Sequence, residues 1–295
     1  SLNDEHFGEL IDYYCGHDDL RHGLIRVLHN LSFVEDPTRI LRAIRFEQRY
    51  SLRFEKRTGE LLEQAIKDGM LNRVSKARLW EEIKLYFSEQ RPEKLLGRLE
   101  DSGAWPYLFP DVIYNDVREA LDSLSAGIEE AETWRPAPDL RHWMVYLAAV
   151  LHKAEPAAVK NICKHYNLNK KEADDVLAVN QKWAEAVRLL TSPNRGRVSD
   201  IAVVILALPP EAYPLLLTYL KPERQSARFR RVLAAIHCNK PHIGGNDIID
   251  LGLPPGPVFR EVLNEVWRAK LDGLINTREE ELGLALKYLE NQKGD

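Results

Sequence analysis

From about residue 30 onward, apolar residues recur three and four positions apart. Ile40, Leu41 and Ile44 form one such set, and Leu61, Leu62, Ala65 and Ile66 a second. The same spacing returns at Leu79, Ile83 and Leu85, and at Leu95, Leu96 and Leu99. That period places the apolar positions on one stripe of a helix. Residues that end helices separate the stripes: Gly69, Arg91-Pro92, Gly103, Pro106, Pro110, Pro136, Pro138, Pro156, Pro193, Pro209-Pro210, Pro222, Pro241 and Pro254–Pro257. Alternating, strand-like patterns occur near Gly8–Asp12 and Ile25–Leu28. The pattern predicts an all-α fold with at most a short strand remnant near the N-terminus.

Breaks in composition suggest where the chain divides. Pro136–Pro138 precedes an apolar helix at Trp143–Leu151, and Pro193–Arg197 is a polar break. Beyond Pro241 the chain has its own character. Asn246 or Asp247 is placed to cap one helix there, and Thr277 with Glu280 has the spacing of a capping box for the last. The opening Ser1–Asp12 reads as the end of a strand or turn, so the chain is expected to be a piece of a longer protein.

With 295 residues, 44% hydrophobic and 29% charged, the chain has material for two or three cores and is not expected to be disordered. A formal charge of −4 excludes a basic coat over the whole surface, though not a local basic face. Three distant cysteines, Cys15, Cys163 and Cys238, form no CxxC pair. They argue against a disulfide framework and for a reducing compartment. No apolar run approaches the roughly 18 residues of a membrane span, and no signal pattern opens the chain. A cytoplasmic protein without membrane partners is the expectation.

The chemically informative stretch is Val34-Glu35-Asp36-Pro37-Thr38-Arg39-Ile40-Leu41-Arg42-Ala43-Ile44-Arg45-Phe46, continuing to Arg49. Pro37 suits a first helical turn, so a helix starts there. On a helical wheel Asp36, Arg39, Arg42, Arg45 and Arg49 share one side, opposite Ile40, Leu41 and Ile44. Between Leu20 and Thr58 nine basic residues face four acidic ones. A guanidinium fork matches a phosphate or a base edge, and a carboxylate accepts from an exocyclic amine. On spacing alone, a solvated face of i,i+3 and i,i+4 ion pairs is the favoured reading of these residues.

Val34–Phe46 resembles the EDxxR region of the bacterial tRNA nucleotidyltransferase and poly(A) polymerase family, the class II CCA-adding enzymes and their relatives. Ile11-Asp12-Tyr-Tyr-Cys-Gly-His-Asp-Asp-Leu20 is similar to that family's motif at the end of the catalytic palm. Tyr13 and Cys15 stand there for the usual Pro and first Gly. Val74-Ser75-Lys-Ala-Arg78-Leu-Trp-Glu81-Glu82 resembles a later helical motif, with Ala77 where Glu is common. Gly252–Pro257, Leu271–Gly273 and Thr277–Leu282 are similar to the tail. The resemblance is strong over residues 8–90 and 243–290 and weak between them.

That resemblance implies an elongated neck, body and tail. Residues 1–28 would end the catalytic palm, 29–100 form the neck with the nucleotide template, 101–195 the body and 196–295 a tRNA-binding tail. Asp36 and Arg39 would read the Watson–Crick edge of ATP or CTP, with Glu35 and Arg42 in support. Asp12, Arg78 and Glu81 are expected as supporting residues, Arg78 and Glu81 by holding the neck helices together. The family's two catalytic carboxylates follow a Gly-Ser turn and bind Mg2+. No Gly-Ser followed by Asp-x-Asp occurs here, so the metal ions are expected on a head outside this chain, and no catalysis is expected from the chain alone. The partners implied are the tRNA 3′ end, ATP and CTP.

An HD-type metal phosphohydrolase needs a His-Asp pair with further ligands, but His17-Asp18 belongs to the palm-end turn, and His142 and His152 read as half-buried helix residues. A poly(A) polymerase and a non-catalytic helical RNA-binding module remain alternatives. Lys221, Arg224, Arg228, Arg230 and Arg231, opposed by Glu223, form a candidate RNA-backbone cluster or, equally, a solvated helix face. Most of the tryptophans, at helical spacing among aliphatic residues, read as core.

Overall fold

The computed structural model describes residues 7–134, 137–193, 196–220, 222–251 and 256–293. Pro136, Lys221 and Gly252–Pro255, singled out above, lie outside them. The chain begins with α1 (Gly16–Arg21), β1 (Leu24–Ile25), α2 (Ser32–Glu35), α3 (Thr38–Arg49) and β2 (Arg53–Phe54). There follow α4 (Lys56–Lys67), a 3-10 turn (Met70–Arg73), α5 (Lys76–Phe87), α6 (Pro92–Asp101), α7 (Trp105–Leu108) and α8 (Tyr114–Glu132). Then come α9 (His142–Leu151), α10 (Pro156–His165), α11 (Lys170–Thr191), α12 (Val198–Leu206) and α13 (Ala212–Tyr219). The last four are α14 (Glu223–Cys238), α15 (Gly245–Asp250), α16 (Pro257–Leu271) and α17 (Arg278–Lys293). The fold is all-α.

The strand reading is corrected in part. Gly8–Asp12 is not a strand. The sheet among the described residues is a two-residue parallel ladder, Leu24 beside Arg53 and Ile25 beside Phe54. Several prolines read as helix stops are instead first-turn residues: Pro92, Pro156 and Pro257 open α6, α10 and α16, where a missing N–H costs nothing.

The chain divides into two compact units, Ser1–Gln181 with Pro210–Leu215, and Lys182–Pro209 with Leu216–Asp295. The division falls within α11, which continues through Gln181 as far as Thr191, ahead of the polar break at Pro193–Arg197. In unit 1, Ile40, Leu41 and Ile44 of α3 are fully buried. The Tyr86 hydroxyl of α5 donates to the Leu41 carbonyl at 2.7 Å, and Arg98 of α6 pairs with Glu47 at 2.7 Å. These bonds fix α3 against α5 and α6. Trp80 packs on Trp143 and Tyr166, and Trp105 on Phe109; Trp80 and Trp105 are core residues, and Trp143 is half-buried.

In unit 2 a small core of Ile243, Ile248, Val262, Val266 and Ala285 joins α15, α16 and α17. The buried Glu281 carboxylate accepts from Lys270 at 2.5 Å and from the backbone N–H groups of His242 and Ile243 at 2.7 and 3.0 Å. The capping box at α17 is present: Thr277 N–H donates to Glu280 at 3.1 Å and Glu280 N–H to the Thr277 hydroxyl at 3.3 Å.

Candidate nucleotide and RNA interface

The candidate template sits where α2 hands over to α3. Asp36 is extended, Pro37 sets φ at −67°, and α3 begins at Thr38. The orphan donors of that first turn converge on Asp36, whose Oδ1 accepts from the Thr38 N–H at 3.2 Å and the Thr38 hydroxyl at 2.7 Å. Arg78, in the first turn of α5, adds a third partner from across the fold. Its Nη2 donates to Oδ1 at 2.9 Å, to Oδ2 at 3.1 Å and to the Thr38 hydroxyl at 3.1 Å. Burial raises the Asp36 pKa, but the Thr38 and Arg78 bonds outweigh it, so the carboxyl stays below its ordinary value of 3.8. The group is ionised at neutral pH. Oδ1 meets three donors and Oδ2 one, which leaves acceptor capacity on Oδ2.

Arg39 turns the other way. Its Nη1 donates to the Ser32 hydroxyl and carbonyl at 3.1 and 3.3 Å, so α2 anchors one arm of the fork. Glu35 does not join Asp36; its carboxylate lies 3.4 Å from the His29 ring. Arg42 is exposed and makes no hydrogen bond or ion pair among the described residues. Asp12 accepts from the Tyr14 and His17 N–H groups at 3.3 and 2.7 Å. The His17 bond foremost holds its carboxyl below the usual value. Asp12 thus supports the turn into α1, in which Cys15 adopts a left-handed φ of 56° that a glycine takes freely.

Two expectations about the neck are corrected. Arg78 does join two helices, but Glu81 does not: it is exposed and pairs with Lys84 one turn along α5. Its neighbour Glu82 faces α3 instead, 3.7 Å from Arg45. Burial raises the Glu82 pKa, with Arg45, Arg42 and Arg78 opposing the shift. Arg45, expected on the solvated ladder, is 7% exposed and bridges Glu82 and Glu89.

The tail cluster also separates. In unit 2 a cavity of about 580 Å³ is lined by Pro193, Arg224, Gln225, Arg228, Arg231 and Leu271, among others. Arg224, Arg228 and Arg231 are spaced to lie on one face of α14. Arg228 donates to the Ser192 carbonyl at 2.9 Å, and desolvation first, then Arg224 and Arg231, lowers its pKa. Arg230 does not line this cavity; it bonds Glu223. His142 is exposed and pairs with Glu132, while His152 is 2% exposed. Among the described residues, no three His, Cys, Asp or Glu side chains are grouped so as to hold a metal ion.

Comparison with known proteins gives consistent likenesses. The family described as "Probable RNA and SrmB- binding site of polymerase A" matches residues 51–115. An A-adding tRNA nucleotidyltransferase of Geobacter sulfurreducens is 31% identical over 98% of this chain and 34% of its own length. One of Halalkalibacterium halodurans is 27% identical over 99% of this chain and 65% of its own. The chain therefore spans between a third and two thirds of these relatives. Among solved structures, the Thermotoga maritima CCA-adding enzyme complexed with tRNA superposes with a TM-score of 0.82 and 32% identity. That match covers 98% of this chain and 70% of the other.

Proposed function

The chain belongs to the tRNA nucleotidyltransferase family, and from that premise we propose that it is the part of a tRNA 3′-end-extending enzyme that selects the nucleotide and holds the RNA. Asp36 and Arg39 form the template. An ionised carboxylate accepts from an exocyclic amine, and a guanidinium donates to a ring nitrogen. Adenine and cytosine present that pair of groups on their Watson–Crick edges. Uracil and guanine present the opposite polarity and leave buried groups unpaired, at about 1–3 kcal/mol per group. The observation that carries this reading is the Asp36 carboxylate, fixed by Thr38 and Arg78 and still open at Oδ2.

Arg39 has one nitrogen anchored to Ser32, which orients the rest of its fork. Arg42 is exposed and free to neutralise a phosphate. Residues 29–100 would serve as template and neck, 101–195 as body, and 196–295 as a tail whose Arg224 and Arg231 meet the tRNA backbone. Bound metal ions would activate the 3′-hydroxyl and stabilise the leaving pyrophosphate. Their ligands, in this reading, lie on a head outside the chain. The exposed apolar residues Phe7, Leu10, Ile11, Leu20, Leu28 and Leu31 suit a surface that such a head covers.

A poly(A) polymerase is the second reading, supported by the match over residues 51–115. Incorporation assays with the whole protein separate them. CTP then ATP added to tRNA lacking CCA marks a CCA-adding enzyme, and ATP added to tRNA ending in CC alone marks an A-adding one. Long A tails on unrelated RNA mark the polymerase. Activity in the 295-residue chain alone would contradict the assignment of the metal site.

A further inference from the structure

At the far end of α3 from the template, about 17 Å along the helix axis, a second cleft opens in unit 1. It has a volume of about 580 Å³, and Arg45, Arg49, Arg91 and Lys94 line it together with a single carboxylate, Glu89. Both Arg45 and Arg49 direct Nη1 at the same Glu89 oxygen, at 3.2 and 3.4 Å. Arg91 turns its Nε to Glu93 at 3.1 Å. Lys94 is exposed and makes no hydrogen bond or ion pair among the described residues. Arg45, more than nine-tenths buried, keeps its Nε without an acceptor.

Helix ends do not account for this excess of positive charge. The C-termini of α3 and α5 each contribute roughly half a negative charge, and the N-terminus of α6 roughly half a positive one. Their sum is about half a negative charge; with Glu82 beside Arg45 and Glu93 beside Arg91, the four cations meet three carboxylates, and Lys94 is the one left over. The cleft keeps one cation more than its carboxylates, and its rim of Arg49, Arg91 and Lys94 is open to solvent.

We propose that this cleft binds a phosphate group of an RNA strand, held by Arg49 and Lys94 at the rim and by the field of the buried Arg45 behind them. A guanidinium from α3 and an ammonium from α6 suit a tetrahedral oxyanion, and the cleft lies within and beside residues 51–115. The inference rests on the reading that this part of the chain holds RNA. It adds a second anchor away from the template.

The test uses the 295-residue chain, labelled tRNA and a short single-stranded oligoribonucleotide, with affinity measured by fluorescence anisotropy from about 50 to 200 mM salt. The variants are Arg49→Gln with Lys94→Gln, and a charge-matched control away from the cleft, Arg118→Gln with Lys171→Gln. Circular dichroism confirms that each is folded. The expected result is about tenfold weaker RNA binding by the cleft variant, with a log–log salt slope shallower by about 1.4 to 1.8, while the control changes less than about twofold. Tight wild-type binding with identical behaviour of the two variants overturns the cleft and leaves the RNA-holding reading intact. No wild-type binding to either RNA overturns both. Inorganic phosphate, titrated at constant ionic strength, separates the source of the anion. Protection of the cleft by phosphate with RNA affinity unchanged in the cleft variant assigns it to a free anion and overturns the RNA proposal.

Discussion

One guanidinium nitrogen of Arg78 spans both carboxylate oxygens of Asp36, at 2.9 and 3.1 Å, across forty-two residues of sequence. Arg78 itself is more than half exposed. An exposed pair of this kind contributes little to stability, about 0.2–1 kcal/mol. Its consequence is orientation: with Thr38 it leaves Oδ2 as the carboxylate oxygen with open acceptor capacity.

Replacing Arg78 by Met should therefore separate stability from selection. The expected loss of stability is under about 1 kcal/mol by urea denaturation. In the whole protein, preference for ATP over UTP should fall by at least about fivefold, because the carboxylate is free to rotate. A Lys at this position, which keeps the charge but not the fork, should recover only part of that preference.

The Asp36 pKa lies below 3.8, and the sign of its pH effect follows from that. A carboxyl depressed on folding stabilises the native state above its unfolded pKa, and that contribution is lost as pH falls through the folded value. Nucleotide preference should accordingly stay constant over roughly pH 5 to 8. A preference that titrates within that window would assign the selection to another group.

His152 acts in the same direction, at higher pH. Burial lowers its pKa from 6.5 to about 4, so the unfolded chain binds the proton more readily. Stability should fall as pH drops below 6.5 and level off near 4, with a total on the order of 3 kcal/mol. In His152→Gln that part of the pH dependence should disappear from the urea midpoint.

Gly127 lies inside α8, where Gly→Ala ordinarily stabilises by about 1 kcal/mol. Here an added methyl would land on the Pro214 carbonyl oxygen, which is backbone and cannot swing aside. Gly127→Ala should destabilise by about 1–3 kcal/mol. A raised Tm would show that α8 can move away.

Glu281 is fully buried and holds Lys270 together with two backbone N–H groups. Removing one partner strands the other charge, so Glu281→Ala should cost about 3–5 kcal/mol. Hydrogen exchange should show the loss concentrated in residues 242–285.

Helices were legible wherever an apolar stripe met a clear punctuation residue. Pro37 and the Ile40, Leu41, Ile44 stripe located α3 and, with it, Asp36. The exchange of Glu81 for Glu82 has a physical cause. Both lie near the edge of the α5 face, and the choice depends on where Arg45 arrives from α3. Arg45 misled for the same reason, since a wheel ranks directions but does not show how wide an arc the neighbouring helices cover. Of the β1–β2 ladder only the neighbourhood of Ile25 was legible, because the two residues of β2 carry no alternation. Prolines were read as stops because one residue type marks both a helix end and a first turn. The cleft around Glu89 assembles residues from three helices, and no local pattern announces it.

The most direct test of the central claim is nucleotide choice by the whole protein carrying Asp36→Ala or Arg39→Ala, measured as ATP against UTP incorporation on tRNA ending in CC. The account predicts that either substitution lowers that preference by between about 5-fold and 100-fold, with tRNA affinity within about twofold of wild type. An unchanged ATP preference in both variants would contradict the template.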